Sequence, residues 1–227
     1  MLIFKLVLGI IIQILACSSL LLVPAGTWHW WRAWLLIGVV LAASIATAIS
    51  LFPAHQDLLE ERLKPLFQVG QPLADKVVLV LFFAAFVGLM VLIPLDVFQL
   101  HLTDQPGPFV SVAGLLLFLL GWWIAYLSLR DNPFASPVVK HQGERQHTVV
   151  DTGVYGIVRH PMYAGAVLLI VGMPLWLQSY AAALLALVPI GLLVVRISVE
   201  EQFLLRELQG YQGYVERVRY RLIPWLW

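Results

Sequence analysis

Six apolar stretches set the rhythm of the chain, at roughly Leu6–Val23, Trp34–Phe52, Val77–Leu95, Phe109–Leu129, Met162–Leu177 and Tyr180–Val199. Each is long enough, or nearly so, to cross a hydrocarbon layer as a helix. The pattern predicts an all-α, polytopic transmembrane bundle of about six membrane helices. Lys5 gives the first stretch the look of a signal peptide, but apolar residues run past Cys17 to Val23, so a retained span is expected. Only Gln178 and Ser179 separate the last two stretches, which predicts a tight helical hairpin.

Two polar segments interrupt this rhythm. Residues 55–68, "HQDLLEERLKPLFQ", put Leu58, Leu59, Leu63 and Leu66 on one face and Glu60, Glu61, Arg62 and Lys64 elsewhere. That is the pattern of a short amphipathic connector lying on the membrane surface. The segment from Arg130 to His160 is 31 residues long, contains three of the six histidines and is punctuated by Pro133, Pro137, Gly143, Gly153 and Gly156. Loops of that length are usually functional or disordered, and "HTVVDTGVYGIV" is too apolar and β-branched for disorder. A folded cap is expected. Residues 1–129 are therefore read as N-terminal spans with an interfacial segment, and residues 130–227 as the region that carries the chemistry.

Composition agrees with a membrane protein: 61% of residues are hydrophobic and 12% are charged, about half the charged share of a soluble domain. A net charge of +1 gives no reason to expect a nucleic-acid partner. The single cysteine, Cys17, excludes an internal disulfide and every multi-cysteine metal site, and no metal is expected. Thirteen of the fourteen Lys and Arg residues fall at one end of the predicted helices, with Arg32 alone at the other. That asymmetry predicts cytoplasmic termini and a cytoplasmic 130–160 segment. Trp28, Trp30 and Trp31 at one end, and Trp225 and Trp227 at the other, suit interfacial belts.

The candidate chemistry collects at that charged end. In "VRHPMYAG" His160 precedes a proline and should lie outside the helix, with Pro161 at the first helical position. Met162, Tyr163 and Ala164 would then present free N–H groups at a positive helix end, with Arg159 and His160 adding donors. Arg196 and Glu200, spaced i, i+4, read on spacing alone as an ion pair at a helix end.

"TGVYGIVRHPMYAG", "RISVEEQFLLREL" and "GYQGYVERVRYRLIPWLW" together resemble the isoprenylcysteine carboxyl methyltransferase family and its phospholipid-methyltransferase relatives, over roughly residues 130–227. The resemblance implies an integral membrane methyltransferase that uses S-adenosylmethionine, with a lipophilic methyl acceptor drawn from the bilayer. Carried over by position, the cofactor residues would be Lys140, His147, Thr148, Val149, Val150, Tyr155, His160, Pro161, Met162, Tyr163 and Glu200. Arg196 and Arg159 would be the catalytic candidates, with Arg196 implicated in holding an acceptor carboxylate. His147 and His160 keep the family spacing of thirteen, whereas Lys140 stands where the animal enzymes have glutamine. A cation at position 196 favours a carboxylate acceptor over a lipid amine. Two other classes stay open. A sterol-reductase-like enzyme would hold the 2′-phosphate of NADPH on Arg217, Arg219 and Arg221. A non-enzymatic membrane protein would need more polar residues within its spans than Gln13, Ser18, Ser19, Ser44 and Thr47 supply.

Overall fold

The computed structural model describes residues 1–140 and 142–227; His141 lies outside the described residues. Regular structure among them is helical throughout. Helices α1 (Leu2–Ala25), α2 (Trp31–Leu51), α4 (Leu73–Leu95), α5 (Pro108–Asp131), α6 (Pro161–Trp176) and α8 (Leu187–Glu207) build the bundle. Short helices α3 (Gln56–Arg62), α7 (Tyr180–Leu185) and α9 (Tyr211–Arg217) complete it. Five of the apolar segments are long enough to cross a membrane, α7 and α8 counting as one continuous stretch, while the 16-residue α6 is shorter. About six membrane helices, as the sequence predicts, describe the protein.

Helix ends follow local chemistry. Gly26 closes α1 in the left-handed conformation, at φ 66°, and its N–H bonds the carbonyl of Val23. Proline opens both α5 and α6. Beyond Leu95 the last turn widens into a π-helical segment, Asp96–Leu100. The buried Asp96 carboxylate there accepts from the Leu102 N–H at 2.8 Å and from Ser179 Oγ at 2.6 Å, which pins the end of α4 to the start of α7.

The predicted hairpin turns at Gln178 and Ser179, with Gln178 at φ 71°. At its open end Tyr163 of α6 bonds Glu200 of α8. The closest helix contact of α6, however, is with α5. Gly121 and Gly114 on α5 face Gly165 and Gly172 on α6, all four buried. A Cβ placed on Gly165 would lie 2.6 Å from the Gly121 carbonyl oxygen, and one on Gly172 would lie 2.5 Å from that of Gly114. Without a hydrophobic driving force inside lipid, such close backbone approach is what lets dispersion hold helices together.

Two expectations need correction. Trp30 is not an interfacial residue: it is 5% exposed and packs edge-on against Phe98. The 55–68 segment is helical only over Gln56–Arg62, and it is more than a surface connector. Leu58 and Glu61 are buried together, whereas Leu63 and Leu66 are exposed. Glu61 and Arg62 turn inward because the cap gives them partners there.

Candidate functional site

The cap, residues 132–160, has no strand and no α-helix among its described residues, only two 3₁₀ turns at Gly143–Arg145 and Gly153–Gly156. Its backbone polar groups are instead met by side chains from the helices, which buried peptide groups require. Arg62 of α3 donates to the Ala135 carbonyl at 3.0 Å, and Arg196 of α8 to the Pro137 carbonyl at 2.6 Å. Asp75 of α4 accepts from the Val139 N–H at 3.1 Å. Asp131, at the end of α5, accepts from the Val154 N–H at 3.1 Å. Gly153 is needed beside it, since φ is +59° and an added Cβ would collide with that carboxylate.

Beneath the cap lies a cavity of about 240 Å³. All thirteen residues singled out in the sequence line it. Lys140, His147, Thr148, Val149, Val150 and Tyr155 come from the cap, and Arg159, His160, Pro161, Met162 and Tyr163 from the cap–α6 junction. Arg196 and Glu200 come from α8. Residues without a sequence signal join them: Arg62 and Leu66, then Leu79, Phe82 and Phe83 of α4, and Tyr211 and Tyr214 of α9.

At the α6 junction His160 is the N-cap residue and Pro161 the first helical residue, as expected. Two of the three N–H groups expected to be free are taken. The N–H groups of Tyr163 and Ala164 both bond the His160 carbonyl, at 3.1 Å each. The neighbouring cations are also engaged. Glu201, a residue outside the candidate set, receives Arg159 Nε at 2.7 Å, His160 Nε2 at 3.1 Å and Arg221 Nε at 2.9 Å. Arg159 further donates to the carbonyls of Val218 and Arg219, which fastens the C-terminal tail over the site. In the tail, Arg217 pairs with Asp151 at 2.7 Å and Arg221 with Glu201, so two of the three arginines that a 2′-phosphate would need are already committed.

The i, i+4 ion pair between Arg196 and Glu200 does not form either. Arg196 Nε meets Asp75 Oδ1 at 2.9 Å, with Asp75 fully buried and also accepting from Gln71 at 2.7 Å. Asp75 escaped the sequence reading because it sits just before the apolar stretch that begins at Val77. Glu200 accepts from the Tyr163 hydroxyl at 2.5 Å, and among the described residues no cation reaches ion-pairing distance of it. Lys140 is held by Glu61 at 2.5 Å and by Gln68 at 2.7 Å.

Burial pushes the phenols of Tyr155, Tyr211 and Tyr214 well above the ordinary tyrosine range. They are therefore neutral hydrogen-bonding groups and aromatic faces at any physiological pH. With Phe134 tilted against His147 at 4.7 Å between ring centres, the cap side of the cavity is aromatic.

Residues 109–209 match the family model described as phospholipid methyltransferase. That stretch is thus similar to the methyltransferase domain of a phospholipid-modifying family. None of the curated proteins matches the chain.

Proposed function

We propose that the cavity binds S-adenosylmethionine and that the protein transfers its methyl group to a lipid-like acceptor at the cytoplasmic face of the membrane. The observation that carries this reading is Glu200: a carboxylate on the cavity wall, within the matched domain, that no cation of the described residues neutralises. It suits an ammonium or a pair of ribose hydroxyls. The neutral aromatic faces of Tyr155 and Tyr163 suit a cationic centre. The donor set thus fits the cofactor, which when bound supplies a methyl group already activated on a positively charged sulfur.

What the chain then contributes is placement and exclusion of water. Glu200 holds the polar end of the cofactor, and Tyr163 orients Glu200 through its hydroxyl. Arg159 and His160 act through Glu201, keeping the tail closed over the site. Leu66, Leu79, Phe82 and Phe83 offer an apolar wall on which an acyl or prenyl chain can lie. Leu66, in the loop after α3, and Phe83 on α4 are exposed, which supports sideways access from the bilayer. Arg196 no longer separates a carboxylate from an amine acceptor, because Asp75 already balances its charge.

Calorimetry with S-adenosylhomocysteine tests this reading. Wild-type protein binds, and Glu200→Gln weakens binding by about 1.5–3 kcal/mol, the worth of a hydrogen bond to a charged group. Absence of binding by the wild type overturns it.

A further inference from the structure

We propose that Arg62 is the oxyanion-holding residue of the cavity, taking the carboxylate or phosphate of the amphiphilic acceptor at the mouth that faces the bilayer. The inference rests on the methyl-transfer reading for the word acceptor, though not for the anion. Its ground is the pairing of the cavity's charges. Lys140 meets Glu61, Arg159 meets Glu201 and Arg196 meets Asp75, at 2.5, 2.7 and 2.9 Å. Each of those cations is neutralised inside the protein.

Arg62 is different. Its Nη1 donates to the neutral Ala135 carbonyl at 3.0 Å and lies 3.9 Å from the Met162 sulfur. Among the described residues no carboxylate comes within ion-pairing distance of it. A guanidinium offers five N–H donors in a rigid fork, and its observed partners leave most of that fork unused. A half-buried cation without a counter-ion is unfavourable unless something supplies the charge. Planar or tetrahedral oxyanions suit such a fork, by two parallel hydrogen bonds.

Position identifies the ligand as an amphiphile. Leu66 lies four residues further along the same segment, and Phe82 and Phe83 line the cavity from α4. Leu66, beyond the end of α3, and Phe83 on α4 are also exposed. Polar head and apolar chain thus find their partners on one wall. Glu200 supplies the cavity's opposite, unpaired charge, so a cation and an anion are bound at separate places. An amine head at Arg62 would meet like charge. Arg62 lies outside residues 109–209, so the matched domain does not assign it.

The test uses the whole protein in neutral detergent and three probes of equal chain length: laurate, dodecyl phosphate and dodecyltrimethylammonium. Affinity is read from thermal stabilisation, alongside calorimetry with S-adenosylhomocysteine. The wild type should bind at least one anionic probe about tenfold more tightly than the ammonium. Whether laurate or dodecyl phosphate leads separates a carboxylate source from a phosphate source. Arg62→Gln, which keeps a donor for the Ala135 carbonyl, should abolish the preference, and Arg62→Lys should restore part of it. Affinity of the wild type and Arg62→Gln for S-adenosylhomocysteine should agree within about twofold. No anionic preference in the wild type, or a preference that survives Arg62→Gln, overturns the proposal. So does a fall in S-adenosylhomocysteine affinity with the probe preference unchanged. If the wild type shows the anionic preference but binds no S-adenosylhomocysteine, the oxyanion site stands and the cofactor reading falls.

Discussion

Helix α6 is held from two sides by opposite means. Against α5 it is locked by four glycines that bring the two backbones into close approach. Against α8 and the tail it is tied by charged groups, through Tyr163 to Glu200 and through Arg159 and His160 to Glu201. The glycine joint is rigid because nothing in it can rotate or exchange partners. The charged joint can exchange partners, and that is the side on which the cavity opens. The same contrast recurs in the cap, which is anchored by Asp75, Arg196 and Arg62 while its apolar residues close over the aromatic lining.

The largest expected effect comes from breaking the charged side. Asp75→Ala leaves Arg196 buried without a counter-ion and should destabilise by about 3–5 kcal/mol. The double variant Asp75→Ala/Arg196→Met should recover much of that loss, since no unpaired charge remains. Denaturation in detergent measures both. A double variant no more stable than Asp75→Ala would show that the pair is not the unit described.

The glycine side should respond next. Gly165→Ala forces a methyl group to within 2.6 Å of the Gly121 carbonyl and 3.0 Å of the Ala125 nitrogen, and should cost about 1–3 kcal/mol. Gly88→Ala on α4, with nothing within 4 Å, should be neutral or stabilise by up to about 1 kcal/mol. Equal melting temperatures for the two variants would contradict a backbone-locked joint.

The smallest effect is acid-dependent. Burial raises the Glu61 pKa, but hydrogen bonds from Lys140 and Lys64 outweigh it, and the carboxyl titrates below its ordinary 4.5. A depressed pKa contributes stability above the unfolded value and loses it as pH falls through the folded one. Stability should therefore decline on acidification below about pH 4.5, and Glu61→Gln should flatten that part of the profile. A profile that Glu61→Gln leaves unchanged would place the titration elsewhere.

Much of this was legible in the sequence, and the failures have physical causes. Long apolar runs state their own helical character in lipid, and a histidine before a proline states where α6 begins. The α5–α6 joint was hidden because glycines seven apart in an apolar run change no hydropathy signal. The partner of Arg196 was hidden because spacing reports neighbours on one helix, whereas Asp75 lies 121 residues away. Glu201 was passed over for its neighbour Glu200, yet the helix turns them to different duties. Glu201 faces the tail and Glu200 lines the cavity. The inward turn of Arg62 depended on the Ala135 carbonyl, which no local pattern reveals.

The most direct measurement is transfer itself. Purified protein reconstituted into vesicles of a mixed lipid extract is supplied with S-adenosylmethionine labelled with tritium in its methyl group, and radioactivity is counted in the organic phase. Label should accumulate in lipid with the wild type and fall by about tenfold or more with Glu200→Gln, matching the loss of one charged hydrogen bond. Label that accumulates equally with both proteins, or no label above a protein-free control although S-adenosylhomocysteine binds, would contradict a methyl transfer centred on Glu200.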